Sequence, residues 1–222
     1  MSKNCVIVGG TGGLGEHLVK DFIREGYNVY ACGTNKKKIQ KIGCPGFTFD
    51  ARVNESINRL SKDLLAGTEE NIDVFIYTAG IFKVSPLSAM EPLEIEDMFK
   101  VNIVAPILLT RNLIPAFNGS KIVYIGSSSS YNGGADSSIY CATKHALRGF
   151  ALSMFEELKD KNNRVYFISP AGMKTEMGKS IVGQNYDTFV SPQDVSKFIV
   201  GALSYDNEMI PNEVRLNRYR MG

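Results

Sequence analysis

Histidine is nearly absent: His17 and His145 are the only two among 222 residues. With no HxxxH pair and no Cys/His cluster, a metal site is not expected. The four cysteines, Cys5, Cys32, Cys44 and Cys141, show no CxxC spacing. In a reducing compartment they read as buried free thiols rather than ligands or bridges. No apolar run is long enough to span a bilayer and no signal peptide with a cleavage site is visible. The expectation is therefore a cytoplasmic protein with no membrane partner. A surplus of one charge is lacking too. A formal net charge of +2 is too weak to argue for nucleic acid or an acidic membrane surface. The one basic run, Lys36-Lys37-Lys38 with Lys41 nearby, reads as a solvated helix face or a local phosphate site.

What is present is an ordinary globular balance. Hydrophobic residues make up 44% and charged residues 22%, enough for a full core in one domain over residues 1–222. Short apolar runs predict strands over 5–8, 28–31, 47–49, 74–77, 122–125 and 165–168, with a last short one near 214–216. Helical patterns lie between them, over 14–25, 53–65, 95–113, 140–159 and 192–203. Turn-bounded apolar runs alternating with amphipathic helices predict a Rossmann-type, doubly wound α/β fold. The sheet should be mainly parallel, with six to seven strands and helices on both faces. Ligands of such sheets bind at the carboxyl ends of the strands. Glycines, serines and asparagines gather at those ends here.

The first strand runs into "VGGTGGLG", Val8–Gly15, and a helix follows at once. Glycines there permit a tight turn and let backbone approach a pyrophosphate seated on the helix N-terminus. They are too numerous to fix one pattern. Gly10/Gly12/Gly15, Gly9/Gly13/Gly15 and Gly9/Gly12/Gly15 each fit a variant. Thr11 and Leu14 lie inside the same turn.

The end of the second strand carries cofactor choice, because an acid there would bond the ribose 2′-OH of NAD. The sequence reads "VYACGTNKKK", with Gly33 and Thr34 where the acid would sit. Thr34 and Asn35 can hydrogen-bond a 2′-phosphate, and Lys36 or Lys37 can neutralise it. NADP(H) is therefore preferred, with NAD(H) possible.

In "YCATK", Tyr140 and Lys144 stand one helical turn apart on one face. Alone, such a pair is commonly surface packing. Around it lie "GGTGGLG", Asp50 with Ala51 after the third strand, "YTAG" ending in Ala79-Gly80, Asn102 in "KVN", "IGSSSS", and "SPAGMKT" with Pro170 and Thr175. In this order the chain resembles the short-chain dehydrogenases/reductases along nearly its whole length. Departures are Tyr77 and Thr78 in place of two asparagines, and Ala171 in place of a glycine. Only 47 residues follow Thr175 (222 − 175), which fits the short, single-domain branch rather than the longer nucleotide-sugar epimerases.

The resemblance implies hydride transfer between a nicotinamide and a carbonyl or alcohol carbon. Its tetrad maps onto Asn102, Ser127, Tyr140 and Lys144, the serine standing thirteen positions before the tyrosine. Tyr140 would be the general acid or base. Lys144 would lower its pKa and hold the nicotinamide ribose. Ser127 would orient the substrate oxygen, and Asn102 would hold a water linking Lys144 to solvent. Cofactor contacts are implied at Gly9, Thr11, Gly12, Gly13, Leu14, Gly15, Thr34, Asn35, Lys36, Asp50, Ala51, Ala79, Gly80, Tyr140, Lys144, Pro170 and Thr175.

Substrate choice should lie after Thr175 and in segments 81–88 and 131–138. Lys174 and Lys179 either meet an anionic substrate or stay solvated. A homodimer or homotetramer is implied, formed by helices 95–113 and 140–159. Two other readings of the same residues are an isomerase or epimerase with bound NAD(P), and a non-catalytic NADP-sensing protein. The hydroxyls of Tyr77 and Thr78 can still bond, so altered local packing rather than lost function is expected there.

Overall fold

The computed structural model describes residues 2–181, 183–205 and 208–220. Its seven strands are β1 (Asn4–Val8), β2 (Asn28–Gly33), β3 (Gly46–Thr48), β4 (Val74–Tyr77), β5 (Lys121–Ile125), β6 (Arg164–Pro170) and β7 (Glu213–Leu216). They form one sheet in the order β3-β2-β1-β4-β5-β6-β7. Every pairing is parallel. This is the doubly wound Rossmann-type fold. The order reverses at β1, which pairs with both β2 and β4, so a crevice opens beyond the carboxyl ends of β1 and β4.

The central strands are apolar throughout because both sheet faces are covered. Alternation sends Cys5 and Ile7 of β1 to one side and Val6 and Val8 to the other. The first side packs on α1 (Gly13–Arg24) and α8 (Pro192–Leu203) through Leu18, Phe22 and Ile199. The second packs on α3 (Asn54–Gly67), α5 (Ala105–Leu113) and α6 (Ser138–Leu158) through Ile57, Leu109 and Leu147. Each such side chain stabilises the fold by about 1.5–3 kcal/mol on burial. Among the described residues, no helix is long and apolar enough to cross a membrane.

The helix expected over 95–113 is three pieces. It begins earlier, as α4 (Pro92–Phe99), because Glu91 and Glu94 form a capping box around Pro92. A π-helical turn, Lys100–Val104, then joins it to α5. Asn102 sits in that turn. Two short helices lie outside the expected segments: α2 (Lys36–Ile39) and α7 (Glu176–Lys179). Tyr77 donates its hydroxyl to the Val101 carbonyl at 2.6 Å, tying β4 to the π turn. The tyrosine thus makes its own link where the resemblance expects asparagine.

Candidate active site

The glycine-rich turn is specified by what surrounds it. Gly9 has φ +93°, and a Cβ there would lie 2.6 Å from the Ala79 nitrogen. A Cβ on Gly13 would meet Thr175 Cγ2 at 2.5 Å, and one on Gly15 would meet the Gly9 oxygen at 2.0 Å. Gly12 is less crowded, its nearest neighbour being 3.3 Å away. Packing therefore selects the Gly9/Gly13/Gly15 pattern among the three the sequence allows. Gly9→Ala is expected to cost about 3 kcal/mol, from the left-handed backbone and the clash with β4. Urea unfolding of the variant measures this; a cost under about 1 kcal/mol would show that the crevice yields.

Gly12 is the N-cap of α1 and offers no side-chain cap, which leaves the first-turn N–H groups to a ligand. A groove of about 810 Å³ runs over this turn, bounded by Thr34, Asp50–Arg52, Thr78–Ile81 and Met173–Met177. A bare helix N-terminus and glycines that a methyl group would fill fit a dinucleotide pyrophosphate. Asp50, at the groove wall, is held by Arg52 through Nε and Nη2 at 2.9 Å each. That guanidinium keeps its carboxyl below the usual range.

The lysine beside the groove differs from the expected one. Asn35 caps α2 by accepting from the Lys38 N–H. The resulting turn leaves Lys36 off the groove and brings Lys38 to it. Lys38 Nζ donates to the Thr11 carbonyl at 3.2 Å and pairs with Glu16 at 2.8 Å. Asn35, Lys37 and Lys41 line a small neighbouring pocket together with Lys38. Pro170 lines the second cavity, as Tyr140 does.

That second cavity, of about 790 Å³, adjoins the groove, since Met173, Thr175 and Met177 line both. Ser127 and Tyr140 are on its wall. The Ser127 hydroxyl lies close enough to the phenol to favour its ionised form. Phe82 packs edge-on against Tyr140, with ring centroids 4.7 Å apart. Segments 81–88 and 131–138 contribute to this wall through Phe82, Val84 and Asn132. Among the segment after Thr175, Val182 lies outside the described residues.

Burial, rather than a neighbouring charge, governs the tyrosine in the protein alone. Desolvation pushes the Tyr140 phenol up to about 12, with the Ser127 hydroxyl opposing it. Lys144 Nζ lies 5.8 Å from the Tyr140 ring centroid and donates to the Ile125 carbonyl at 3.0 Å. Burial lowers its own pKa to about 8. The expected depression of the phenol by Lys144 is thus not met here, because both groups lose hydration and each disfavours its charged form.

Asn102 is fully buried. Its amide donates to the Ile81 carbonyl at 2.9 Å and to Thr143 Oγ1 at 3.1 Å, and accepts from the Ile81 N–H at 2.9 Å. Both amide hydrogens are therefore spent on tying the loop after β4 to α6. A Cβ on Gly80 would lie 3.3 Å from Asn102 Oδ1 and 3.8 Å from Lys144 Nζ. The missing side chain at Gly80 thus leaves room for Asn102 and Lys144 beside the loop after β4.

Two residues around the serine escaped the sequence reading. Ser130 is fully buried, and its hydroxyl accepts from the Ser127 N–H at 3.1 Å. Gly126 must be small: a Cβ there would meet Phe167 Cζ and Ser169 Oγ at 2.4 Å each. Both contacts come from β6, distant in sequence, so no local signal marks them.

Fold, groove and adjoining cavity are those of a nicotinamide-dependent oxidoreductase with a small-molecule substrate. The family model described as short chain dehydrogenase matches residues 3–185, and the chain belongs to that family. It is similar to a diacetyl reductase [(S)-acetoin forming] of Staphylococcus epidermidis, 24% identical, with 96% of each chain covered. It is also similar to the 3-oxoacyl-[acyl-carrier-protein] reductase FabG of Buchnera aphidicola, 25% identical, covering 88% of this chain and 84% of that one. Among solved structures, a short chain dehydrogenase of Shigella flexneri complexed with NADP superposes with a TM-score of 0.87 at 20% identity, covering 96% and 95% of the two chains. A closed serine dehydrogenase complexed with NADP+ gives a TM-score of 0.86 at 23% identity, covering 96% and 94%.

Proposed function

We propose that residues 1–222 form one dinucleotide-binding and catalytic unit that interconverts a carbonyl and an alcohol with NADP(H). The observation that carries this reading is the placement of Ser127 and Tyr140 on one cavity wall, with the buried Lys144 one helical turn from the tyrosine. The bound nicotinamide supplies or accepts the hydride. Tyr140 carries the proton at its hydroxyl oxygen, giving it in reduction and taking it in oxidation. Ser127 orients the substrate oxygen beside that proton. Lys144 holds ribose hydroxyls and favours the phenolate as the proton leaves. Asn102 fixes the loop and helix that bear these groups, and a water at its π turn links Lys144 to solvent.

The preference for NADP(H) is supported by Gly33 and Thr34, which put no carboxylate at the end of β2, and by Lys38 beside Thr11. The NADP-bound structural relatives agree with it. Self-association is supported by Leu93, Phe99 and Val104, exposed on the α4–α5 segment. The test is titration with NADPH and NADH, then NADPH consumption with a panel of aldehydes and ketones. NADPH should bind at least about ten-fold tighter, and Lys38→Glu should remove that margin by placing an acid near the 2′-phosphate. Binding of neither nucleotide would overturn the reading.

A further inference from the structure

We propose that the substrate cavity receives an anionic group, a carboxylate or phosphate, on Arg215; this rests on the oxidoreductase reading above. Alternation along β7 puts Glu213 and Arg215 on one sheet face, while Leu216 packs with the α1/α8 side. The Glu213 and Arg215 face meets Tyr131 and Arg148. Arg148 grips Glu213 with Nε at 2.5 Å and Nη2 at 3.3 Å, so those two charges cancel. The Arg148 and Arg215 guanidinium carbons lie 4.8 Å and 4.2 Å from the Tyr131 ring centroid. Two guanidiniums thus share one aromatic ring and one carboxylate. Among the described residues, no carboxylate lies within ion-pair distance of Arg215, although Glu213 on the same strand face feels its charge.

Arg215 lines the same cavity as Ser127 and Tyr140, and no aspartate or glutamate lines it among the described residues. Stacking on Tyr131 holds the guanidinium fork in place, so less side-chain freedom is lost when an anion docks on it. Arg218, also on the wall, donates to Gln184 Oε1 at 2.9 Å and Thr188 Oγ1 at 3.2 Å, and so anchors the segment before α8. The lysines first considered for this task are elsewhere. Lys174 lines the groove, and Lys179 pairs with Glu176 at 2.6 Å. The cavity volume suits a small organic acid with room to spare.

The test compares 4-carboxybenzaldehyde with its neutral methyl ester, methyl 4-formylbenzoate, and with 4-formylphenyl phosphate. In each case hydride adds to the aldehyde carbon and a proton to its oxygen, giving the alcohol and NADP+. The native protein should favour a charged aldehyde over the ester by about ten-fold or more in kcat/KM, chiefly through KM. In Arg215→Ala and Arg215→Gln that ratio should fall to about one. Arg215→Lys should keep part of it. The carboxylate and phosphate arms show which anion fits. Calorimetric titration of the protein with NADP+ and 4-(hydroxymethyl)benzoate gives a second readout, expected to weaken at least about ten-fold without Arg215. An acid-to-ester ratio equal in the native protein and both variants would overturn the proposal. Ester reduced but both charged aldehydes refused would also overturn it and leave the oxidoreductase reading standing. Arg215-dependent benzoate binding with none of the three aldehydes reduced would do the reverse.

Discussion

Tyr140→Phe is expected to lower kcat by about 10³-fold, with NADPH affinity within about two-fold of the native value. The change removes one oxygen and little else. The ring keeps its edge contact with Phe82, and the glycine turn that shapes the groove lies on other elements. What disappears is the proposed proton carrier beside Ser127. A phenol held near 12 by burial stays protonated through neutral pH, which suits it to act as an acid in reduction. Reduction should therefore slow only when pH climbs toward the phenol pKa, and the residual rate of the variant should lack that alkaline limb. Single-turnover oxidation of prebound NADPH measures the loss directly. A variant turning over at the native rate would remove Tyr140 from the mechanism.

The tyrosine–lysine pair was legible because both its residues lie on one helical turn and their chemistry needs only that spacing. The sheet was legible for a related reason: buried parallel strands such as Val74–Tyr77 must be apolar on both faces. Features set by distant contacts were not. The choice among glycine patterns depends on Ala79 and Thr175 pressing on Gly9 and Gly13. The π turn at Lys100–Val104 carries no local signature, because one altered hydrogen-bond register suits many side chains. Lys38 replaces Lys36 at the groove because the Asn35 cap sets where α2 starts, and a shift of two positions turns a helix face by about half a revolution. The Arg215–Tyr131 stack joins residues 84 positions apart (215 − 131), and strand alternation alone does not say which neighbour waits there. The balance of forces on Tyr140 was misjudged for another reason. Spacing reveals the neighbouring ammonium, but burial, which outweighs it, emerges only once the loop after β4 and Phe82 close over the pair.

Lys144→Met is expected to move stability and activity in opposite directions. Lys144 is 5% exposed, and among the described residues its polar partner is the uncharged Ile125 carbonyl. Lowering its pKa from 10.5 to about 8 means that folding disfavours the ammonium. Two and a half units correspond to roughly 3 kcal/mol at most. Leaving the Ile125 carbonyl without its donor returns about 1–2 kcal/mol of that. A methionine of similar length should therefore stabilise the protein by about 1 kcal/mol at pH 7. The sign with pH follows from the same shift. Between about pH 8 and 10.5 the unfolded chain binds more protons at this site than the folded one, so Lys144 makes native stability rise across that window. Below pH 8 its penalty is constant, and above 10.5 it is gone. Tyr140 acts the other way above pH 10, because its folded pKa is raised to about 12. Removing Lys144 should take away this rising contribution and make the slope between pH 8 and 10.5 more negative, while the losses from Tyr140 and from the buried Cys5 and Cys32 thiols, whose pKa burial raises, remain. Urea unfolding at intervals from pH 7 to 10.5 reads this directly, and an unchanged slope in the variant would show that the ammonium is better solvated than its burial suggests. Activity should fall by about 10²–10³-fold, because no ammonium then favours the phenolate as the proton leaves Tyr140. A buried cation that costs stability and persists for chemistry is the pattern expected of a functional site rather than a structural ion pair.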